Sequence, residues 1–350
     1  MRITFILPAP VRIPMGGPKV VYAHAQGLAK RGHEVVVAAP SQLGGGMRGR
    51  ATSVAMRLRD QLHGVSQSPY YQAAGAQTLV VPTVSDRHLP DADIVLATGV
   101  QTAPWVRDLA PSKGAKAYFL QHVETFIDPR ATDTWHYPLA RITIARWIKD
   151  RIEAEGKSVL GIVPNAIDPK EFFIEEPIES RPSRVISLYH RLSIKGPDVL
   201  IRALRLMKQA LPELEADVFA ARPPSHQLPD FVNIRIRPEG TELRRLYNRS
   251  AVLLHTSRSE GSPLVPMEAA ACGCAIVASA NEGVQQYLKN GETMRMTGLG
   301  DGPGLAQAAL DLLQNPNERI RFARAAAEEV SRYRWADSTA HLESLLMKLL

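Results

Sequence analysis

The chain has 350 residues, of which 45% are hydrophobic and 22% are charged, and its net charge is +7. This composition excludes a disordered chain, and the length favours two domains over a single hydrophobic core. The isoelectric point of about 9.5 favours anionic partners such as phosphates, nucleotides, nucleic acid or an acidic membrane surface, without choosing among them.

The first part of the chain alternates short apolar runs with a helical pattern. Ile3–Leu7 is a predicted strand, Val20–Arg31 is a predicted helix that ends at Gly32, and the apolar run after Glu34 is a second strand. Strand, loop, helix and strand in this order indicate the βαβ unit of a parallel sheet. Further buried strands are predicted at Thr78–Val81, Ile94–Thr98, Ala117–Leu120 and Leu160–Val163.

The charged, proline-containing segment Asp168–Arg184 has no clear period and is a predicted linker. The strand–loop–helix scheme then begins again with a strand at Val185–Tyr189 and a helix at Asp198–Ala210. The remaining predicted strands are Asp217–Ala221, Asn233–Ile236, Ala251–His255 and Ala275–Ala278, and the remaining predicted helices are Pro303–Leu313, Glu318–Ser331 and about Ala336–Leu350. Two α/β halves of this kind bind ligands at the carboxyl ends of their strands, in a cleft between the halves.

The segment from Ser257 to Ser279 reads as a loop, a helix and a further strand. Ser262 suits the N-cap of the helix and Pro263 its first position, so Glu260 lies on the loop and Glu268 lies inside the helix. The backbone amides at the start of such a helix bind phosphate, and neighbouring carboxylates accept hydrogen bonds from sugar hydroxyls. The combination suits a nucleotide-sugar; the alternative is a helix whose acids are favoured by its dipole.

The same segment resembles the Glu-x7-Glu element of the family 4 retaining glycosyltransferases, which have the GT-B fold. The matching residues are Ser257, Glu260, Gly261, Glu268, Ala269, Ala271 and Gly273, and Ala275 replaces the family's usual proline. The resemblance implies that Glu260 lies near the donor sugar and that Glu268 holds the nucleotide ribose. It also implies donor contacts from Gly261, Ser262, Pro263 and Leu264.

Two further segments extend the resemblance. The run Val163–Asp168 is similar to the family's V-P-N-G-I-D at the domain junction, with alanine in place of glycine. In HRLSIKG, Arg191 and Lys195 match the two cations that clasp the donor diphosphate, and His190 takes the place of the usual glycine. A guanidinium and an ammonium at a strand end suit a leaving diphosphate. The alternative is a pair of solvated surface cations.

In the first half, Gly16 and Gly17 match the paired-glycine loop of the family, where bare backbone approaches donor phosphate or acceptor. An ordinary flexible turn is the alternative. His122, just past a predicted strand, matches a histidine that the family directs toward the donor sugar; the alternative is a structural histidine. Glu124 is a further candidate for contact with the acceptor.

Four other signals carry less weight. Gly44, Gly46 and Gly49 satisfy G-x-G-x-x-G but lie beyond the strand end and lack an acidic partner. The two cysteines, Cys272 and Cys274, lack a second pair of ligands for zinc, and so few cysteines suit a reducing compartment. The Asp91-x-Asp93 motif is typical of a turn. The basic stretch Met47–Gln61 predicts either a peripheral contact with anionic lipid or acceptor, or a solvated helix.

Together these observations predict a GT-B protein with two Rossmann-like α/β domains, at 1–167 on the acceptor side and 168–335 on the donor side, and a C-terminal helix at 336–350 that crosses back to the first domain. The resemblance implies a retaining, metal-independent hexosyltransferase without a cofactor, acting in polysaccharide, glycolipid or glycoconjugate biosynthesis. Its expected partners are a nucleoside diphosphate sugar and a sugar, lipid-linked or small-molecule acceptor, and no nucleic acid. The expected location is cytoplasmic, with or without membrane association, because no apolar stretch has membrane-spanning length. The rivals are a sugar-nucleotide epimerase, a phosphorylase, or an inactive nucleotide-sugar-binding protein.

Overall fold

The structure, a computed structural model, describes residues 1–41 and 70–350. The described residues form two compact units, one of Met1–Asn165 with Trp335–Leu350 and the other of Ala166–Arg334. The predictions for Gly44, Gly46 and Gly49 and for Met47–Gln61 concern residues outside the described ranges. Helices and strands are numbered below along the described part of the chain.

The first unit contains a parallel sheet in the order β3-β2-β1-β4-β5-β6-β7. Its strands are β1 Arg2–Ile6, β2 Glu34–Pro40, β3 Gln77–Val81, β4 Ile94–Ala97, β5 Ala115–Leu120, β6 Ala140–Thr143 and β7 Gly161–Ile162. Its first three helices are α1 Gly16–Lys30, α2 Thr102–Arg107 and α3 Arg146–Ala154. The strand order reverses between β1 and β4, so the loops that follow these two strands meet at the carboxyl edge of the sheet.

The second unit repeats this plan with a parallel sheet in the order β10-β9-β8-β11-β12-β13. Its strands are β8 Arg184–Leu188, β9 Glu215–Ala220, β10 Val232–Ile236, β11 Val252–His255, β12 Ala275–Ser279 and β13 Arg295–Thr297. Its helices are α4 Pro197–Ala210, α5 Gly240–Asn248, α6 Leu264–Ala271, α7 Gly302–Gln314 and α8 Pro316–Val330. The strand order reverses between β8 and β11, which places the loops after these strands side by side.

Alternating side chains of the second sheet enter two different apolar layers. Val185 and Leu254 face a layer that includes Leu200 of α4, whereas Ile186 and Leu253 face the opposite layer. Both faces are therefore covered, as a parallel sheet requires, and the strands read in the sequence as nearly continuous apolar runs.

A last helix, α9 Trp335–Met347, packs on α1 in the first unit. A Cβ atom on Gly27 would lie only 2.8 Å from the Thr339 side chain. The close approach of the two helices therefore requires glycine at position 27. His24 is buried beside them, with its Nδ1 3.0 Å from Thr339 Oγ1. Burial lowers the pKa of His24 to about 3, and its ring is therefore neutral at physiological pH.

The structure corrects the prediction for Gly16 and Gly17. They are not in a loop but are the first two residues of α1, which begins four residues earlier than predicted. The first N–H groups of a helix have no partner within the helix, so glycines at these positions still present bare backbone to an approaching group.

The predicted linker is a packed segment of the second unit. Arg181 is buried, and its guanidinium donates to the carbonyl oxygens of Cys272 at 2.6 Å and Ser250 at 3.0 Å. The Asn248 side-chain oxygen accepts the Glu175 N–H at 2.7 Å, and Phe172 is buried in the core. Individual side-chain to backbone contacts hold this segment in place, without a helix or strand, and its sequence therefore shows no hydrophobic periodicity.

Candidate functional site

The loops after β8 and β11 join at the reversal point of the second sheet. Lys195 is the last residue of a short 3₁₀ turn after β8. Its Nζ lies 2.7 Å from Oε2 of Glu260. The next residue, Gly196, has φ +65°, and a Cβ there would lie 2.2 Å from the Thr256 carbonyl oxygen. Thr256 Oγ1 also donates to the Lys195 carbonyl at 2.9 Å. The two loops are in direct backbone contact, and this contact sets the position of the ion pair.

Burial and neighbouring charge have opposite effects on the pKa of Glu260, whose side chain is 12% exposed. Burial alone raises the pKa of this carboxyl, but the Lys195 ammonium, His255 and hydrogen bonds from Lys195 and Ser257 outweigh it, so the net pKa lies below the usual value. His255, at the end of β11, is itself buried, and burial lowers its pKa to about 4. At neutral pH the site therefore holds a carboxylate, an ammonium and a neutral imidazole.

The other residues of the β8 loop add positive and polar character. Arg191 is exposed and makes no ion pair within the described residues. The Leu192 N–H donates to His190 Nδ1 at 3.2 Å, which leaves the other ring nitrogen to carry the proton of a neutral ring. Burial, Lys195 and Arg191 together lower the pKa of His190 below its usual value. This histidine, where the family pattern has glycine, adds a further donor beside the two cations.

Helix α6 begins next to Glu260, and the structure shifts its start by one residue. Pro263, with extended backbone, is the N-cap and not the first helical residue, so the predicted N-cap Ser262 precedes the cap. Gly261, Ser262 and Leu264 are buried along this turn. Because Pro263 and Pro266 have no N–H, the N–H groups of Leu264 and Val265 are the ones left without a partner within the helix, and N–H groups in this position are suited to binding an anion.

Glu268 lies further along α6 and is 5% exposed. The buried Tyr247 hydroxyl donates to its Oε2 at 3.2 Å. Burial is the main cause of the raised pKa of Tyr247, and the Glu268 carboxylate adds to it. The tyrosine therefore stays a donor, which fixes one oxygen of Glu268 and orients the carboxylate.

Two residues that sequence reasoning missed support this loop from β12. A Cβ on Gly283 would lie 2.3 Å from the Glu260 carbonyl oxygen, so the backbone of the loop after β12 touches that of Glu260. Asn281 donates from Nδ2 to the Ser257 carbonyl at 3.1 Å, and its Oδ1 accepts the Val284 N–H at 3.1 Å. The available signal was N-E-G at the carboxyl end of a buried strand, a position where polar and glycine residues shape ligand loops.

In the first unit, the structure brings Gly17 close to the loop that follows β5. A Cβ on Gly17 would lie 3.5 Å from the side-chain amide of Gln121, the neighbour of His122. His122 Nδ1 accepts the Glu124 N–H at 3.1 Å, and its ring packs edge-on against Phe126 and Trp147. The histidine is therefore held in one orientation.

The residues set aside by the sequence analysis have structural partners. Asp91 binds Lys113 at 2.8 Å, and Asp93 binds Arg2 at 2.8 Å. Cys272 and Cys274 are buried and unbridged, and burial raises the pKa of Cys274 to about 11. Within residues 1–41 and 70–350, no group of three or more histidine, cysteine or acidic side chains has the arrangement of a metal site. None of the helices described is both long and apolar enough to cross a bilayer.

Comparisons with known proteins find similarity in sequence over part of the chain and in fold over all of it. Residues 184–315 match the family model of the glycosyl transferases group 1. D-inositol 3-phosphate glycosyltransferase of Streptomyces coelicolor is 27% identical over 165 residues, 42% of this chain and 36% of that protein. The enzyme of the same name from Corynebacterium efficiens is 30% identical over 182 residues, 47% of this chain and 42% of that protein. The matched region thus spans about two fifths of the length of these relatives.

Solved structures agree over the whole chain. HepE of Anabaena in complex with UDP-glucose has a TM-score of 0.76 at 16% identity, covering 100% of both chains. Sucrose-phosphate synthase of Thermosynechococcus elongatus has a TM-score of 0.73 at 14% identity, covering 99% of this chain and 98% of that one. Likeness at this identity shows the fold, and the predicted two-domain α/β GT-B fold is confirmed. The match of residues 184–315 to the glycosyl transferases group 1 model agrees with the resemblance predicted from the sequence.

Proposed function

We propose that the protein is a retaining glycosyltransferase that moves a hexose from a nucleoside diphosphate sugar to an acceptor hydroxyl. The observation that carries the proposal is the Lys195–Glu260 ion pair, formed at the carboxyl ends of β8 and β11 beside the N-terminus of α6. A cation, an anion-binding helix end and an oriented carboxylate in one place match the phosphates and hydroxyls of a nucleotide-sugar.

The donor diphosphate would lie against Lys195, Arg191 and the first amides of α6. Lys195 is 28% exposed, so its ammonium can hydrogen-bond a phosphate oxygen while it remains close to Glu260. The Glu260 carboxylate would accept hydrogen bonds from the donor sugar, and Glu268, fixed by Tyr247, would accept those of the ribose hydroxyls. Gly16, Gly17 and His122 of the first unit are proposed to contact the donor from their own loop edge.

Transfer would form a bond between the acceptor oxygen and the anomeric carbon on the face from which the diphosphate departs. The bond from the anomeric carbon to the diphosphate oxygen breaks, and the acceptor proton passes to the departing diphosphate. Lys195, Arg191 and the helix amides stabilise the negative charge that develops on the leaving group, which is the main electrostatic contribution. No metal or cofactor enters this proposal.

Uridine diphosphate sugars are the first donors to test, because HepE, which shares the fold, is in complex with UDP-glucose. Inositol phosphate is the first acceptor to test, since it appears in the names of the curated relatives. Polysaccharide, glycolipid or glycoconjugate synthesis would use acceptors of this hydroxyl-bearing class. Peripheral contact with anionic membranes, proposed for Met47–Gln61, is tested by sedimentation with anionic liposomes at low salt, and failure to sediment would refute it.

The test of function has a binding step and a transfer step. Thermal shift against nucleoside diphosphates and their sugars identifies the donor, and NMR of the product reports the anomeric configuration. Glu260→Gln should lower kcat/KM by about 10²–10³ because it removes the charge next to the donor. Glu213→Gln, an exposed carboxylate of the same unit, is the control. Full activity of Glu260→Gln, or product with inverted configuration, would refute the assignment.

The rival functions give different results in the same assays. A phosphorylase would turn over with inorganic phosphate and no nucleotide, and an epimerase would change the donor sugar without an acceptor. A binding protein would give a thermal shift with no turnover. Transfer that survives excess chelator would support the metal-independent form of the proposal.

A further inference from the structure

Strand β10, Val232–Ile236, forms one edge of the second sheet and is largely exposed. Its last four residues are exposed, and Ile234 and Ile236 are each 38% exposed. Among the described strands, β10 pairs with β9 alone, so the backbone groups on its other edge have no strand beside them in this part of the chain. An edge of this kind is a template for pairing with a further strand.

The connection that leads into β10 explains this exposure. Helix α4 connects β8 with β9, whereas residues 221–231 connect β9 with β10 without a helix. This connection contributes Leu228 to the apolar layer in which α4 takes part. Val232 belongs to the same layer, and because side chains alternate along a strand, Ile234 and Ile236 point to the same side. A loop covers less surface than a helix, so these two isoleucines stay partly open.

The backbone groups on the open edge are those of the two isoleucines. The Arg237 N–H donates to the Ala220 carbonyl oxygen of β9 at 2.8 Å. Successive residues of a strand point their N–H and C=O groups alternately to its two edges, so those of Arg235 face β9 and those of Ile234 and Ile236 face the open edge. The Arg235 Nη1 donates to the Ile234 carbonyl at 3.2 Å, which agrees with the open position of this oxygen. A carbonyl oxygen has a second acceptor site, so it still accepts an N–H from another strand.

The sequence of β10, VNIRI, is self-complementary in one antiparallel register. When Ile234 lies opposite Ile234 of a second copy, Val232 faces Ile236 and Asn233 faces Arg235. The open-edge groups of the two Ile234 residues then form the reciprocal N–H···O=C bonds of a hydrogen-bonded antiparallel pair. Centring the pair on Arg235 would place two guanidinium groups opposite each other, which is unfavourable. Side-chain pairing and backbone direction therefore select the same register.

The charges around β10 also allow two copies to approach. The chain as a whole has a net charge of +7, but in residues 230–239 the charges cancel, because Asp230 and Glu239 balance Arg235 and Arg237. Like-charged chains therefore meet at a neutral segment, where Coulomb repulsion is weakest. Within the strand the one charged residue, Arg235, faces an asparagine whose side-chain oxygen accepts guanidinium N–H groups.

We propose that β10 pairs with β10 of a second copy of this chain, antiparallel and centred on Ile234, so that the second sheets of the two copies form one continuous sheet. Because each copy uses the same strand, the contact is two-fold symmetric and closes as a dimer. Pro229 and Pro238 have no N–H and lie just outside the strand, which limits the ladder to the strand's own residues. An interface of this size is small, so the dimer dissociates on dilution. The inference is independent of the proposed transferase function.

The first test measures the mass of the full chain by sedimentation equilibrium over a series of concentrations. The wild-type protein should shift from the monomer mass of 38.4 kDa toward a dimer as its concentration rises. Ile234→Pro removes an open-edge N–H and leaves the ladder with β9 intact, since proline is tolerated where the N–H faces away from the sheet, and it should abolish the shift. Val80→Pro is the matched control on the exposed edge strand β3. The Ser41 N–H donates to the Val81 carbonyl at 2.7 Å, so Val80 likewise points its N–H away from β2, and the control should dimerise like the wild type.

The second test addresses the register. Asn233→Arg places an arginine opposite Arg235 at two symmetric positions and should raise the dimer Kd about tenfold. Adding Arg235→Glu converts both positions to opposite-charge pairs and should return the Kd to within about threefold of the wild-type value. Gln209→Arg, which adds the same charge at an exposed position of α4, should leave the Kd unchanged.

Hydrogen exchange gives a direct reading of the edge itself. The Ile236 amide, which faces the open edge, should exchange more slowly as the wild-type protein is concentrated, and its exchange should not depend on concentration in Ile234→Pro. A monomer at every concentration, or a dimer that persists in Ile234→Pro, overturns the inference. A Kd for Asn233→Arg that Arg235→Glu does not restore overturns it as well. A melting curve establishes that Ile234→Pro is folded, and if it is not, the charge variants decide the question.

Discussion

The contact between Gly283 and Glu260 offers a direct test of how the candidate donor site is held. In Gly283→Ala the new Cβ would lie 2.3 Å from the Glu260 carbonyl oxygen, 2.7 Å from its carbonyl carbon and 2.8 Å from its Cβ. The atoms on both sides belong to backbone or to the first side-chain carbon, so no flexible side chain can swing aside. Restoring ordinary contact requires a displacement of about 1 Å.

The displacement has consequences for stability and for function. Overpacking of this kind costs about 1–3 kcal/mol. Gly283 has helical backbone, φ −67° and ψ −40°, so alanine also gains about 0.4–1 kcal/mol by restricting the unfolded chain. The net loss of stability should be about 1–2 kcal/mol. A shift of about 1 Å at the Glu260 carboxylate should lower kcat/KM by about 100-fold.

The assay compares Gly283→Ala with Gly298→Ala, another glycine of the second unit. A Cβ on Gly298 would meet its nearest neighbour, Asp301, at 3.5 Å, an ordinary contact. Thermal melting and kcat/KM for the donor identified by thermal shift are measured for both, well below the melting temperature. The reasoning is refuted if Gly283→Ala matches Gly298→Ala in both quantities.

Three other substitutions test charges and hydrogen bonds. Lys195→Met leaves the Glu260 carboxylate buried without its cation, so the free energy of unfolding from urea titration should fall by about 1–3 kcal/mol at pH 7. This loss should become smaller at lower pH, where the carboxyl is protonated. An equal loss at pH 5 and pH 7 would contradict this reasoning. Tyr247→Phe removes the hydrogen-bond donor to Glu268 and should lower the free energy of unfolding by about 1 kcal/mol. It should also weaken nucleoside diphosphate binding, and an unchanged Kd by calorimetry would argue against a ribose contact. Glu124→Gln should raise the melting temperature at pH 8 but not at pH 4, and an equal effect at both would be inconsistent with the raised pKa.

The sign of the last effect follows from the two pKa values of Glu124. The folded-state pKa is about 7 and the ordinary value is 4.5. Between these values the folded protein keeps a proton that the unfolded chain releases, so stability is greatest below pH 4.5 and is lost as the pH rises through 7. The full difference corresponds to about 3 kcal/mol as an upper bound, and glutamine, which cannot ionise, avoids this loss.

Much of the sheet architecture could be predicted from the sequence. Strands buried on both faces, such as β8, β11 and β12, are continuous apolar runs and are easily recognised. The half-exposed edge strand β13, Arg295–Thr297, has no such pattern and was missed. The short strand β6 and the short helices α2, α3 and α5 were missed as well. Their stability comes from tertiary contacts that single-sequence periodicity does not contain.

The residues proposed for the donor site were predicted because their spacing along the chain resembles a family pattern. What sequence could not provide is the environment that sets their chemistry. Glu260 was predicted on a loop, yet it is mostly buried, with His255 beside it and Gly283 beneath its backbone. Such features depend on strands β8, β11 and β12 being neighbours, which brings together residues far apart in the chain.

The two glutamates show how one residue type acquires two properties. Both are largely buried, but Glu260 has a cation at 2.7 Å and keeps its charge. Among the described residues, the carboxyl of Glu124 has the Val100 N–H as its sole hydrogen-bond donor, and it favours its proton until the pH reaches about 7. A carboxylate that is ionised at every physiological pH suits a permanent hydrogen-bond acceptor for a donor sugar. A carboxyl that titrates near neutrality suits a contact that is made and released, and environments that separate the pKa values of like groups in this way indicate different functional roles. The difference between the two side chains therefore follows from the ion pair with Lys195, which keeps Glu260 ionised close to the N-terminus of α6.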